Sequence, residues 1–209
     1  MQVDRIAEGL WQWTGYHEEW KQEVGCTYVE TPDGVCLVDP LVPPEGRAKF
    51  LAALDRDMAR LGLPVHVLVT VFWHTRDAAA MAGRYGAEIW APSRARAAVE
   101  RRAGGAVRAF RPGDDLPGGI EAHATARSNE VVLFLPQHRA LVAGDVILGT
   151  DDGSLRLCPD SWLPGGVDQE ALRISLLPLL QLPVEHVLVS HGRSVLGAGG
   201  EALRGMLEP

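Results

Sequence analysis

Four apolar runs in this chain end on side chains that can do chemistry. Residues 65–71 (VHVLVTV) lead into Phe72, Trp73, His74, Thr75, Arg76 and Asp77. Residues 120–125 are followed by Arg127, Asn129 and Glu130. Residues 140–144 (ALVAG) deliver Asp145, and residues 184–190 (VEHVLVS) deliver His191 and Gly192. Imidazole nitrogens and carboxylate oxygens are ligands of a single zinc, iron or manganese ion. The same groups work without a metal, a histidine serving as general base beside an arginine that stabilises an oxyanion. Arginine stays charged and forks onto anions, so the cluster also suits simple binding of a small anionic molecule.

The elements that must position these groups are legible as pattern. Residues 5–13 (RIAEGLWQW), 25–30 and 35–39 read as strands, the last two joined by Thr31-Pro32-Asp33-Gly34, an Asp-Gly hairpin signal. Residues 43–61 read as a helix, with Phe50, Leu51, Leu54, Met58 and Leu61 at helical spacing. Strand 65–71, an Ala-rich helix 76–85 ending at Gly86, strand 87–90 and an Arg/Ala helix to about residue 102 follow in βαβα order. Strands at 120–125, 131–135 and 140–146, a long loop at 150–166, a helix at 167–180, a strand at 184–190 and a closing helix at 197–207 complete the chain. Both halves therefore present strands backed by helices. Ligand sites in such folds lie beyond the carboxyl ends of the strands, where the polar groups above fall.

Composition narrows the function classes. The 209 residues hold 20 basic and 27 acidic side chains, a net charge of −7, with 46% hydrophobic residues. No run of clustered cations exists to neutralise phosphates, so nucleic acid is not expected as a partner. No apolar stretch approaches the roughly 20 residues of a membrane helix, and no signal segment is read at the start. Three cysteines, Cys26, Cys36 and Cys158, lack knuckle spacing and point to a reducing, cytoplasmic setting.

The chain resembles the metallo-β-lactamase fold superfamily over nearly its whole length. The resemblance rests on the hairpin ending LVDP, the strand VLVT before a His-bearing turn, the hairpin VVLFLPQHRALVAGDVI and the terminal VLVSHG. It implies one α/β domain spanning 1–209, a four-layer αββα sandwich, and hydrolase chemistry if the chain is active. The resemblance also implies a metal site in an HxHxDH turn, a His in a GHTPG-like segment, an Asp after a GD strand and a last His. Here the turn reads Phe72-Trp73-His74-Thr75-Arg76-Asp77, an HxRD turn, and Ala126 stands where the second segment would carry its His. Asp145 and His191 match.

The expectation is a degenerate metal site: no resident metal, and a small anionic molecule held in the cleft by His74, Arg76 and His191. Arg76 is expected to replace the cation and to pair with Asp145 or Glu130, because a fixed guanidinium within about 5 Å repels a divalent ion by several kcal/mol. Asp77 and Asp145 complete the candidate catalytic set, and Trp73, Glu130 and Trp162 are the candidate substrate contacts. One alternative is a mono-metal hydrolase of esters, thioesters or lactones using His74, Asp145 and His191, with Asp77 a conceivable fourth ligand. The other is a metal-free His/Arg hydrolase. Trp13, Tyr16 and Trp20 are placed in a loop bordering the cleft, where with Trp73 and Trp162 they would wall an apolar pocket or form a homodimer contact.

Overall fold

The computed structural model describes residues 1–208. The chain begins with a meander of β1 (Gln2–Ala7), β2 (Leu10–His17), β3 (Gln22–Thr31) and β4 (Gly34–Val38). It continues through α1 (Arg47–Leu61), β5 (Val65–Leu68), α2 (Ala78–Tyr85), β6 (Glu88–Pro92), α3 (Arg96–Ala103) and β7 (Val107–Phe110). These seven strands form one sheet in sequence order, antiparallel through β4 and parallel from β4 to β7. The second half contributes β8 (Glu121–Ala124), β9 (Val131–Leu135), β10 (Ala140–Ala143), a small pair β11 (Ile147–Gly149) and β12 (Leu155–Leu157), α4 (Gln169–Leu176), β13 (His186–Val189) and α5 (Gly199–Leu207). Its four-stranded sheet has the order β13-β10-β9-β8.

Strand alternation explains why these sheets stack. In β4, Val35 and Leu37 face the helices α1, α2 and α3, while Cys36 and Val38 face the other sheet. In β9, Val131, Leu133 and Leu135 meet the seven-stranded sheet, while Val132 and Phe134 pack with α4 and α5. Each strand is buried on both faces, so its sequence is a continuous apolar run rather than an alternating one. The three resulting cores lie helix to sheet, sheet to sheet and sheet to helix, which is the expected αββα order.

Several boundaries differ from expectation for local reasons. Residues 5–13 are two strands, split where Gly9 takes a φ of 75° that turns the chain back on itself. Trp13 and Tyr16 lie in β2 rather than in a loop. Helix α1 starts at Arg47 because Gly46, at φ 73°, sits left-handed just before it. Among the described residues no helix is long and apolar enough to cross a membrane.

Candidate functional site

His74 lies in a 3-10 turn, Phe72–Thr75, just beyond β5. Its side chain is completely buried. Behind it stands Asp39, the residue that ends β4, whose Oδ1 accepts from the Thr70 N–H (2.8 Å) and whose Oδ2 accepts from the Thr70 hydroxyl (2.5 Å). Asp39 Oδ2 also lies 2.9 Å from His74 Nδ1. That contact places the proton on Nδ1 and leaves Nε2 facing the site, the arrangement by which a carboxylate orients a ligating histidine. Burial and the Arg76 cation oppose protonation of His74, but Asp145 and Asp39 outweigh them and raise its pKa above the ordinary value.

Asp145 follows β10 and is anchored from three sides. Glu130 Oε1 accepts from the Asp145 and Val146 N–H groups at 2.5 and 2.8 Å. The Trp73 indole N–H donates to Asp145 Oδ2. The other oxygen, Oδ1, lies 3.1 Å from His74 Nε2 and 3.1 Å from His191 Nε2. Burial works against the Asp145 carboxylate, but the two histidines more than compensate and hold its pKa well below the usual range. Gly144 is required beside it, since a Cβ there would sit 2.7 Å from Glu130 Oε1 and 2.8 Å from Thr70 Oγ1.

These three ligating atoms lie within 4.8 Å of one another. His74 Nε2 and Asp145 Oδ1 are buried, yet neither makes an aligned hydrogen bond. Buried polar atoms are ordinarily satisfied, so two orphaned lone-pair bearers facing one spot need an explanation. A tetrahedral ion with ligands at about 2.0–2.1 Å separates neighbouring ligand atoms by roughly 3.3 Å. The donor set N, N, O and its spacing therefore fit one divalent ion with an open position.

Arg76 departs from expectation. It pairs with neither Asp145 nor Glu130. Its backbone takes φ 36° and ψ −119°, a conformation L side chains rarely adopt. That geometry aims the guanidinium at β3 and at the residues following β4 and β13: Nη1 donates to the carbonyls of Gly25 (3.0 Å) and Asp39 (2.9 Å), and Nη2 to Ser190 Oγ (2.7 Å). Trp20 covers it, its ring 5.6 Å from the guanidinium carbon. Arg76 is a tie between the two sheets and does not line the cleft. Asp77 is likewise structural: its Oδ2 accepts from Val42 N–H at 2.7 Å, and it stands outside the three-residue cluster.

Above Asp145 opens a cleft of about 370 Å³ lined by Trp20, Gln22, Trp73, Arg127, Asp145, Trp162 and His191. Trp162 comes from the 3-10 turn Asp160–Trp162 in the long loop. Glu130 is absent from this lining; it lies behind Asp145 and pairs with Arg127, Nη1 to Oε2 at 3.0 Å. Burial, and after it the Asp145 charge, push the Glu130 pKa up to about 7 against the opposing pull of Arg127 and the two N–H groups. Trp13 is a core residue whose indole N–H donates to the Leu41 carbonyl (2.8 Å), and Tyr16 is exposed away from the cleft. His17 stacks on Trp20 at 3.9 Å. Asp39 and the cleft position of Arg127 escaped the sequence reading, although Asp39 also sits at a strand end.

A family model described as metallo-beta-lactamase superfamily matches residues 5–208. The chain belongs to the metallo-β-lactamase superfamily. Its fold is that of solved metallo-β-lactamases. The enzyme DIM-1 matches at 13% identity and TM-score 0.73, covering 99% of this chain and 96% of that one. A metallo-β-lactamase from Pontibacter korlensis matches at 18% identity and TM-score 0.68, covering 99% and 98%. FIM-1 from Pseudomonas aeruginosa, in its mono-zinc form, matches at 14% identity and TM-score 0.69, covering 99% and 94%. No curated protein matches this superfamily member significantly.

Proposed function

We propose that this superfamily member is a hydrolase with a reduced metal site, one divalent ion held by His74, Asp145 and His191, acting on an ester, thioester or lactone. The observation that carries the reading is the convergence of His74 Nε2 and His191 Nε2 on Asp145 Oδ1, both at 3.1 Å, with no aligned hydrogen bond at His74 Nε2 or Asp145 Oδ1. The absent ligands agree with a single ion: Phe72 packs against the core, Ala126 has no donor, and Arg76 and Asp77 are committed elsewhere.

When bound, such an ion supplies acidification of water and polarisation of a carbonyl. The protein's own groups do the rest. Asp39 holds the Nδ1 proton of His74 and so keeps Nε2 free to ligate. Trp73 and Glu130 fix the Asp145 carboxylate and its backbone. Trp20, Trp73 and Trp162 present apolar walls to the substrate. The metal-free reading needs Arg76 at the oxyanion, and its guanidinium is already engaged with two carbonyls and a hydroxyl.

Calorimetric titration of chelator-stripped protein with zinc tests this. The expected result is one site per chain, at least 100-fold weaker in Asp145→Asn, with chelator-sensitive hydrolysis of aryl esters. Absence of a stoichiometric site overturns the reading. Ester hydrolysis that persists in chelator returns the chemistry to His191 acting alone as base.

A further inference from the structure

The cleft also carries information about its ligand, through the state of Arg127. This residue is only 2% exposed. A buried cation is costly unless paired and hydrogen-bonded. Its single carboxylate partner is Glu130, yet neither Arg127 Nη1 nor Glu130 Oε2 makes an aligned hydrogen bond. Glu130 cannot offer its other oxygen, which is taken by the Asp145 and Val146 N–H groups. No other acceptor among the described residues receives the guanidinium. What the guanidinium does have is an aromatic neighbour, the Trp73 ring, 4.7 Å from its central carbon. A cation–π contact of this kind holds the group in place while leaving its fork of donors unspent. Arg127 lines the cleft, so those donors serve whatever enters it.

We propose that the cleft binds a flat aromatic carboxylate, its carboxylate on Arg127 and its ring among Trp20, Trp73 and Trp162. The proposal names the ligand class of the site and rests on reading that cleft as the seat of the reaction. A guanidinium edge and a carboxylate match two donors to two acceptors. A dianion such as phosphate fits worse, because the ionised Asp145 carboxylate stands close by and repulsion grows with ligand charge. The ring preference follows from the walls. The Trp20 and Trp162 rings lie 6.4 and 6.0 Å from His191, so indoles border the histidine as well as Arg127. Trp162 keeps 39% of its surface exposed, a large apolar face awaiting a partner at the mouth. The volume, about 370 Å³, accommodates one or two fused rings.

The probes are 2-naphthoate, its neutral isostere 2-naphthamide, and 2-naphthyl phosphate, titrated by calorimetry into metal-free and zinc-treated protein. Naphthoate is expected to bind the metal-free protein at least tenfold tighter than the amide and tighter than the phosphate. Arg127→Lys, which keeps charge but loses the fork, is expected to cut that preference at least fivefold. Trp162→Ala, at an exposed position, is expected to weaken acid and amide alike. Equal binding of naphthoate and naphthamide to the metal-free wild type overturns the proposal, whatever the folding of the variants. So does naphthoate binding that needs zinc and ignores Arg127→Lys, which would put the carboxylate on the metal and leave the one-metal reading standing. A preference for naphthoate in protein that takes up no zinc supports the aromatic-acid site and defeats the one-metal reading.

Discussion

Arg76 comes from the seven-stranded sheet and Arg127 from the four-stranded one, and the fold uses them in opposite ways. Both Nη atoms of Arg76 donate to protein acceptors, one inside β3 and two just past the ends of β4 and β13. Arg127 is the more deeply buried, yet its guanidinium finds an ion-pair partner and a ring, and no aligned hydrogen bond. The difference separates two jobs that look identical in a list of charged residues. A cation whose two Nη groups are taken by carbonyls and a hydroxyl, with only its buried Nε left over, is an internal brace. A cation kept dry with its donors unspent is held ready for something else. The same contrast holds between the carboxylates of Asp77, bound to a backbone N–H, and Asp145, with an orphaned oxygen.

Removing each arginine tests the contrast most directly. Arg76→Met leaves two carbonyls and the Ser190 hydroxyl without their donor, and it keeps a side chain at φ 36°. A loss of about 3 kcal/mol is expected, from unsatisfied acceptors. Arg76→Gly should cost about 1 kcal/mol less than the Met variant, because glycine tolerates that backbone. Arg127→Met at pH 6 should cost less than either, since burial pushes the Glu130 pKa up to about 7, so the carboxyl is largely neutral there and leaves no buried charge when its partner is gone. Urea denaturation of the three variants decides it. An Arg127→Met loss equal to that of Arg76→Met breaks the contrast.

Asp39 sharpens the ligand side of the comparison. It touches no part of the cleft lining, but it holds the ring nitrogen of His74 that faces away from the site. Asp39→Asn should lower zinc affinity by roughly tenfold, in the range for carboxylates that orient ligating histidines. An unchanged affinity in a folded Asp39→Asn protein would mean that the Asp39 charge does not strengthen His74 as a ligand.

How far these roles were readable in advance follows the physics of each. Strands buried on both faces announce themselves as apolar runs, so the rule of inspecting strand ends picked out His74, Asp145 and His191, which the fold brings within reach of one another. The short strand β7, with Arg108 and Ala109 exposed, has no such run and left no trace. Arg76 was misassigned because its direction is set by a positive φ that no residue pattern encodes. Trp13 was misassigned because one turn at Gly9 moved it from a supposed loop onto the inward face of β2. Arg127 was visible as a residue, but its value lies in which of its donors go unused, and that is a property of packing alone.

The smallest expected effect concerns the partner that makes Arg127's state possible. Glu130 has its pKa pushed from 4.5 up to about 7, first by burial. The folded chain therefore binds this proton more tightly than the unfolded one. Its stabilising contribution is full below about pH 4.5 and is lost as pH rises through 7. His74, also raised, adds a loss of the same sign above pH 6.5. Metal-free protein should accordingly lose stability above pH 6.5; below it His17, His66, His123 and His138, whose pKa values burial lowers, gain stability as pH rises and offset part of the Glu130 loss, itself on the order of 1–2 kcal/mol after allowing for its coupling to Asp145. Glu130→Gln keeps an acceptor oxygen for the Asp145 and Val146 N–H groups but carries no titratable proton. It should remove the Glu130 loss from that slope and leave the His74 part above pH 6.5. Urea midpoints at four pH values separate the two. A slope unchanged by Glu130→Gln would show that Glu130 stays ionised in the fold, so that Arg127 is fully neutralised and has less charge to offer a ligand.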